Sequence, residues 1–134
     1  MIRTVTAVVD DLFFISKIRE TGKALGMIVN FPRNLDALRA SIAEDVPELI
    51  LVDLHHQKLD AVQLASELKA NEKVKDIPLM GFFSHVQADL QRQAVQAGYD
   101  EVLPRSIFFR DLAKILADKS KGGETASEEQ NRAR

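Results

Sequence analysis

The chain has 134 residues, 46% of them hydrophobic and 28% charged, with a formal net charge of −2 and no cysteine. That length and apolar content suffice for one domain with a buried core. The lack of thiols excludes disulfides and thiolate metal sites, and the near-neutral charge without a basic stripe argues against a nucleic-acid footprint. No apolar stretch is long enough to span a bilayer and no signal-peptide pattern opens the chain, so a soluble, cytoplasmic protein is expected.

Short apolar runs alternate with amphipathic stretches. Thr4 to Val9 reads as a first strand, and Leu12 to Leu25 as a helix with Ile15, Ile18, Gly22 and Leu25 on its inner stripe. Gly26 stands where a left-handed cap belongs. Met27 to Phe31 is a second strand, and Asn34 is placed to cap a helix that turns Leu35, Leu38 and Ile42 inward and stops before Pro47. Glu48 to Asp53 is a third strand, and His55 to Leu59 a polar loop. Asp60 caps a helix striped by Leu64, Ala65 and Leu68. Ile77 to Phe83 is a fourth strand, with Pro78 at its start, where a missing N–H is tolerated. A fourth helix from Val86 to Ala97 ends at Gly98, and Tyr99 to Leu103 is a fifth strand closed by Pro104. A last helix over residues 107–118 places Phe108, Leu112, Ile115 and Leu116 on one face.

Five strands alternating with five helices predict an α/β fold: a doubly wound, five-stranded parallel sheet of order 2-1-3-4-5, in a flavodoxin- or receiver-like three-layer sandwich. The domain spans residues 1–118. Residues 119–134 have no aliphatic side chain larger than alanine and read as a disordered polar tail.

The third strand ends in Asp53 and the first is followed by Asp10 and Asp11. Ligands of open α/β sheets bind beyond the carboxyl ends of strands. If the two strands are neighbours, three acids meet at one edge and call for a hard cation such as Mg²⁺. Asp53 is then a carboxylate nucleophile beside a metal, suited to accepting a phosphoryl group. Asp10 and Asp11 standing alone would instead be helix caps. His55, His56 and His85 lie on loops near the same edge. They read as solvent-exposed rather than as transition-metal ligands, since adjacent histidines rarely address one ion.

Val8-Val9-Asp10-Asp11, Pro47 to Asp53, Lys75-Asp76-Ile77-Pro78 and Ala97 to Glu101, in this mutual spacing, resemble a response-regulator receiver domain, the phosphoacceptor module of two-component signalling. The resemblance covers residues 4–118. It implies that Asp53 is the phosphorylation site, and that Asp10, Asp11, Asp53 and the main-chain carbonyl of His55 hold Mg²⁺. It further implies that His55 and His85 flank the phosphoryl group. The donor would be a histidine kinase or phosphotransfer protein, and enzymatic activity would be at most self-catalysed phosphoryl transfer and hydrolysis. The signal would pass to an unknown downstream protein, through the face that includes Gln91, Val95, Val102 and Phe109. Neither nucleic acid nor membrane is an expected partner, and the chain is expected to be a monomer or weak homodimer. It is either a full single-domain regulator or part of a longer protein.

The sequence departs from the family pattern around the read-out. The switch hydroxyl aligns with Phe83. Ser84 follows, but adjacent strand residues face opposite sides, so it could substitute only if the strand end is twisted or slipped. The usual lysine aligns with Arg105, longer and planar. The proline after it is Ser106, before which a cis bond is too costly, so a trans or rearranged loop is expected. Gln57 and Ala61 replace the usual Pro and Gly. Phe83 is a candidate plug in the space of the hydroxyl, and Phe13 a candidate docking contact for the phosphodonor. These departures sustain a second reading, a phosphorylation-independent pseudo-receiver acting as an interaction scaffold; the retained acids argue against it. A flavin- or nucleotide-binding flavodoxin-like protein is disfavoured because Asp10-Asp11-Leu12-Phe13 stands where a glycine-rich phosphate loop would be.

Overall fold

In the computed structural model residues 3–119 are described. The strands are β1 (Arg3–Val8), β2 (Met27–Asn30), β3 (Leu49–Asp53), β4 (Leu79–Phe83) and β5 (Glu101–Pro104). All pair in parallel in the expected order β2-β1-β3-β4-β5. The helices are α1 (Leu12–Ala24), α2 (Leu35–Glu44), α3 (Ala61–Ala70), α4 (Ala88–Ala97), α5 (Arg105–Arg110) and α6 (Leu112–Lys119). Among the described residues no helix is long and apolar enough to cross a membrane. Apart from Lys119, which closes α6, the expected polar tail lies outside the described residues.

The sheet is a wall between two apolar layers because successive strand residues point to opposite faces. On β3, Ile50 and Val52 join Leu38 and Ile42 of α2, Leu64 and Leu68 of α3 and Ala94 of α4. Leu49 and Leu51 face the other way, toward Ile18 of α1, Phe108 of α5 and Leu112 and Leu116 of α6. Burial on both faces explains why β3 is continuously apolar. Gly22 lets α1 lie close to the sheet, since a Cβ there would come within 2.7 Å of Val29 Cγ2.

Local signals set the helix ends. Asn34 Oδ1 accepts the Ala37 N–H at 2.7 Å, and Asp60 Oδ1 accepts those of Val62 and Gln63, both as expected. Gly26 and Gly98 follow α1 and α4 at positive φ, 76° and 127°. Other expectations need correction. Leu25 is exposed rather than on the inner stripe of α1, because the chain has already left the helix there. α4 begins at Ala88, and Val86 is exposed. Pro78 precedes β4; lacking an N–H, it serves the sheet only through its carbonyl, which accepts from Ile50. Pro104 belongs to β5, and Arg105 and Ser106 open α5 rather than forming a loop. Pro104, at φ −59°, leads directly into helix. The last helix is interrupted by a turn at Asp111 and becomes α5 and α6. Every peptide bond among the described residues is trans, including the one before Ser106.

Candidate functional site

The direction of strand order reverses between β1 and β3, and a crevice opens at the carboxyl ends of such neighbours. Val8 lies opposite Val52, so Asp10 and Asp11 follow β1 where β3 ends in Asp53. Asp53 is only 6% exposed. Its Oδ1 accepts the His55 N–H at 2.9 Å and its main-chain carbonyl accepts the His56 N–H at 3.0 Å, so the turn after β3 is wound around this residue. Burial, and then the charge of Asp10, push its carboxyl above the ordinary 3.8; the His55 amide bond, with any positive charge on the His55 and His56 imidazoles, pulls the other way.

The other two acids have separate tasks. Asp10 Oδ2 accepts the Gln57 N–H at 3.3 Å and lies 3.9 Å from His56 Nδ1. Asp11 caps α1, with Oδ1 accepting from Phe13 N at 2.9 Å and Phe14 N at 3.1 Å. Thus the cap reading holds for Asp11, and both of those bonds leave its Oδ2 available. Among the described residues no three His, Asp or Glu side chains close on one point. The donor chemistry nevertheless suits a hard divalent cation: carboxylates of Asp10, Asp11 and Asp53 and a main-chain carbonyl, with Asp10 disfavouring charge on a buried Asp53.

Asp11 offers a test that separates cap from charge. Asp11→Ala is expected to cost about 1 kcal/mol through the lost cap. Asp11→Asn, which caps equally well, should stay within a few tenths of wild type in denaturant titrations while weakening Mg²⁺ binding as much as alanine does. If the asparagine variant bound Mg²⁺ like wild type, Asp11 would be a cap alone.

The histidines divide. His85 is exposed, and its ring meets that of the half-buried His55 edge-on at 5.7 Å. His56 is buried, correcting the reading of all three as solvent-exposed. Its Nδ1 accepts the Lys58 N–H at 3.1 Å, which turns the ring inward as an anchor of the β3–α3 loop. A polar His-His pair carries no alternation from which to tell which ring goes in.

Arg105 does not stand alone. Nη1 donates to Ser84 Oγ at 3.3 Å, and the guanidinium lies 5.4 Å from the centre of the Phe14 ring. Ser84 lies one residue past β4, free of strand alternation, and so reaches Arg105. Phe83 is buried in the layer under α2, α3 and α4, and borders a pocket of about 300 Å³ with Ser84 and Arg105. Phe82, the register partner of Asp53, turns the opposite way into an aromatic cluster with Phe14, Phe108 and Phe109. Phe13 is 67% exposed on the first turn of α1. One positioning residue escaped the sequence reading. Buried Tyr99 donates its hydroxyl to the Ala61 carbonyl at 2.9 Å, tying the start of α3 to the segment before β5; burial and nearby Asp60 keep this phenol protonated.

The chain has the fold of response-regulator receiver domains. It superposes on a CheY-like receiver domain protein from Methanospirillum hungatei JF-1 with a TM-score of 0.79 at 16% identity, over 96% of this chain and 99% of that one. It also superposes on the receiver domain of a sensor histidine kinase from Pseudomonas aeruginosa PAO1, solved with magnesium coordinated in the active-site cleft. There the TM-score is 0.77 at 19% identity, over 91% and 100% of the two chains. In sequence it is 29% identical over 90 residues to the sensor histidine kinase CheAY of Helicobacter pylori, covering 66% of this chain and 11% of that protein. The chain thus spans only about a tenth of the curated relative it matches. No protein-family model matches the sequence.

Proposed function

We propose that this chain is a phosphoacceptor signalling domain of a two-component system, with Asp53 taking the phosphoryl group. The observation that carries the reading is a buried carboxylate at the β1/β3 crevice, oriented by the His55 N–H and set beside Asp10. The relatives support it: one is a histidine kinase, and another is a receiver domain with magnesium in its cleft. The donor is a histidine kinase or phosphotransfer protein. An Asp53 oxygen attacks phosphorus, the new O–P bond forms as the donor's P–N bond breaks, and the imidazole leaves with the electron pair. Asp10, Asp11, Asp53 and the His55 carbonyl would hold Mg²⁺, which when bound supplies charge neutralisation between carboxylates and phosphoryl oxygens. His55 and His85 flank the phosphoryl group. Arg105, which bonds Ser84, would trade that partner for a phosphoryl oxygen, and the two residues together would take over the read-out that Phe83 has no hydroxyl to perform. The signal then passes through protein contacts.

Incubation with acetyl phosphate and Mg²⁺ is expected to add the mass of one phosphoryl group to the intact chain, and chelation of the metal to prevent it. The alternative is the scaffold reading, for which Phe83, at the position of the usual switch hydroxyl, is packed into the core. No adduct together with no detectable Mg²⁺ binding would overturn the phosphoacceptor and leave the scaffold reading in its place.

A further inference from the structure

Beside the phosphoacceptor crevice, on the β2 side of α1, lies a cleft of about 390 Å³, a size typical of small-molecule sites. Its walls come from α1, the end of β1, the β2–α2 connection and the β3–α3 loop. They carry Arg19, Arg33 and Lys58 against a single acid, Asp10. None of the three cations is in an ion pair among the described residues. The Arg19 guanidinium lies 5.0 Å from the centre of the Phe31 ring, and Phe31 borders the same cleft. An arginine on an aromatic face is a flat, partly desolvated platform, and guanidinium forks match phosphate oxygens in pairs. The excess of two positive charges complements a dianion.

We infer that this cleft binds a small organic phosphate with a flat ring, the ring against the Arg19–Phe31 pair and the phosphate between Arg33 and Lys58. No glycine-rich loop is needed, because side-chain cations replace backbone N–H groups as phosphate donors. The cleft shares Asp10 with the proposed metal site, but Asp53 is not among its lining residues.

Adenosine 5′-monophosphate is a suitable probe, titrated into the full chain in low salt and followed by calorimetry and by amide shifts in ¹H–¹⁵N spectra. Saturable one-to-one binding is expected, with amide shifts at Phe31, Arg33 and residues 56–58. Arg19→Gln and Arg33→Gln, both at exposed positions, should each weaken it about tenfold. Asp53→Asn should bind as wild type does, so failure of the phosphoacceptor would leave this result intact. Three outcomes overturn the inference: no saturable binding, binding unaffected by either arginine substitution, or inorganic phosphate binding as tightly as the nucleotide.

Discussion

Asp53→Asn is expected to raise the melting temperature of the metal-free chain at pH 7 while removing its capacity to take a phosphoryl group. The carboxyl of Asp53 is held above its ordinary value by burial and by Asp10. An acid whose folded pKa lies above its unfolded one binds protons more tightly in the native state, so stability falls as pH rises between the two values. Above that window the buried charge is a standing penalty; below the unfolded value near 3.8 the penalty is gone. Asparagine keeps an oxygen for the His55 N–H and carries no charge. Melts of both proteins in chelator at pH 7 and pH 3 test this. The variant should be the more stable at pH 7, and the gap should close at pH 3. A gap that is absent at pH 7, or that widens in acid, would show that burial of the charge is compensated by groups around it. The gain at neutral pH is the stability that the wild-type chain forgoes to keep a carboxylate in this place.

The second large effect concerns what supports the site. Phe82 has no exposed surface, stacks on Phe108 at 4.6 Å between ring centres, and meets Phe14 and Phe109 edge-on. Truncation to alanine removes the transfer free energy of the ring and opens a cavity that a sheet strand and two helices cannot collapse into. Phe82→Ala should therefore cost about 3–5 kcal/mol, against a total of about 5–15 kcal/mol for a typical domain. Because Phe82 is the register partner of Asp53 and neighbours the Phe14 ring under Arg105, the damage should reach the site as well. Denaturant titration measures the loss directly. A value under about 1 kcal/mol would mean that the aromatic cluster repacks and contributes little to holding β4 in place.

Much of this was legible from the sequence because the signals are local. The continuously apolar Leu49 to Val52 run belongs to a strand buried on both faces, and Asn34, Asp60, Gly26 and Gly98 mark helix ends with their own chemistry. Alternation of strands and helices constrained the sheet order. The placement of Asp53 at the end of β3, where the neighbouring β1 gives way to Asp10 and Asp11, follows from the same pattern. What escaped depends on contacts distant in sequence. The burial of His56 is tied to a loop wound back toward Asp10, 46 residues earlier in number. The Arg105–Ser84 bond joins the ends of two strands, and the Tyr99–Ala61 bond spans 38 residues. None has a periodicity to betray it. The end of β4 shows the same limit in one residue: strand alternation gives Ser84 no route to a partner, yet the strand stops at Phe83 and releases it.

Phe83 and Arg105 also define how this chain differs from the pattern it resembles. The phenyl ring is part of the core layer under α2, α3 and α4, and the cation rests on Ser84 and Phe14.

The most direct measurement is to locate the phosphoryl group itself. After reaction with acetyl phosphate and Mg²⁺, borohydride reduction converts an aspartyl phosphate to homoserine, and peptide mapping finds the converted residue. The account predicts homoserine at position 53 and at neither Asp10 nor Asp11. Conversion at another acid, or none in a chain shown to carry the phosphoryl group, would contradict Asp53 as the acceptor.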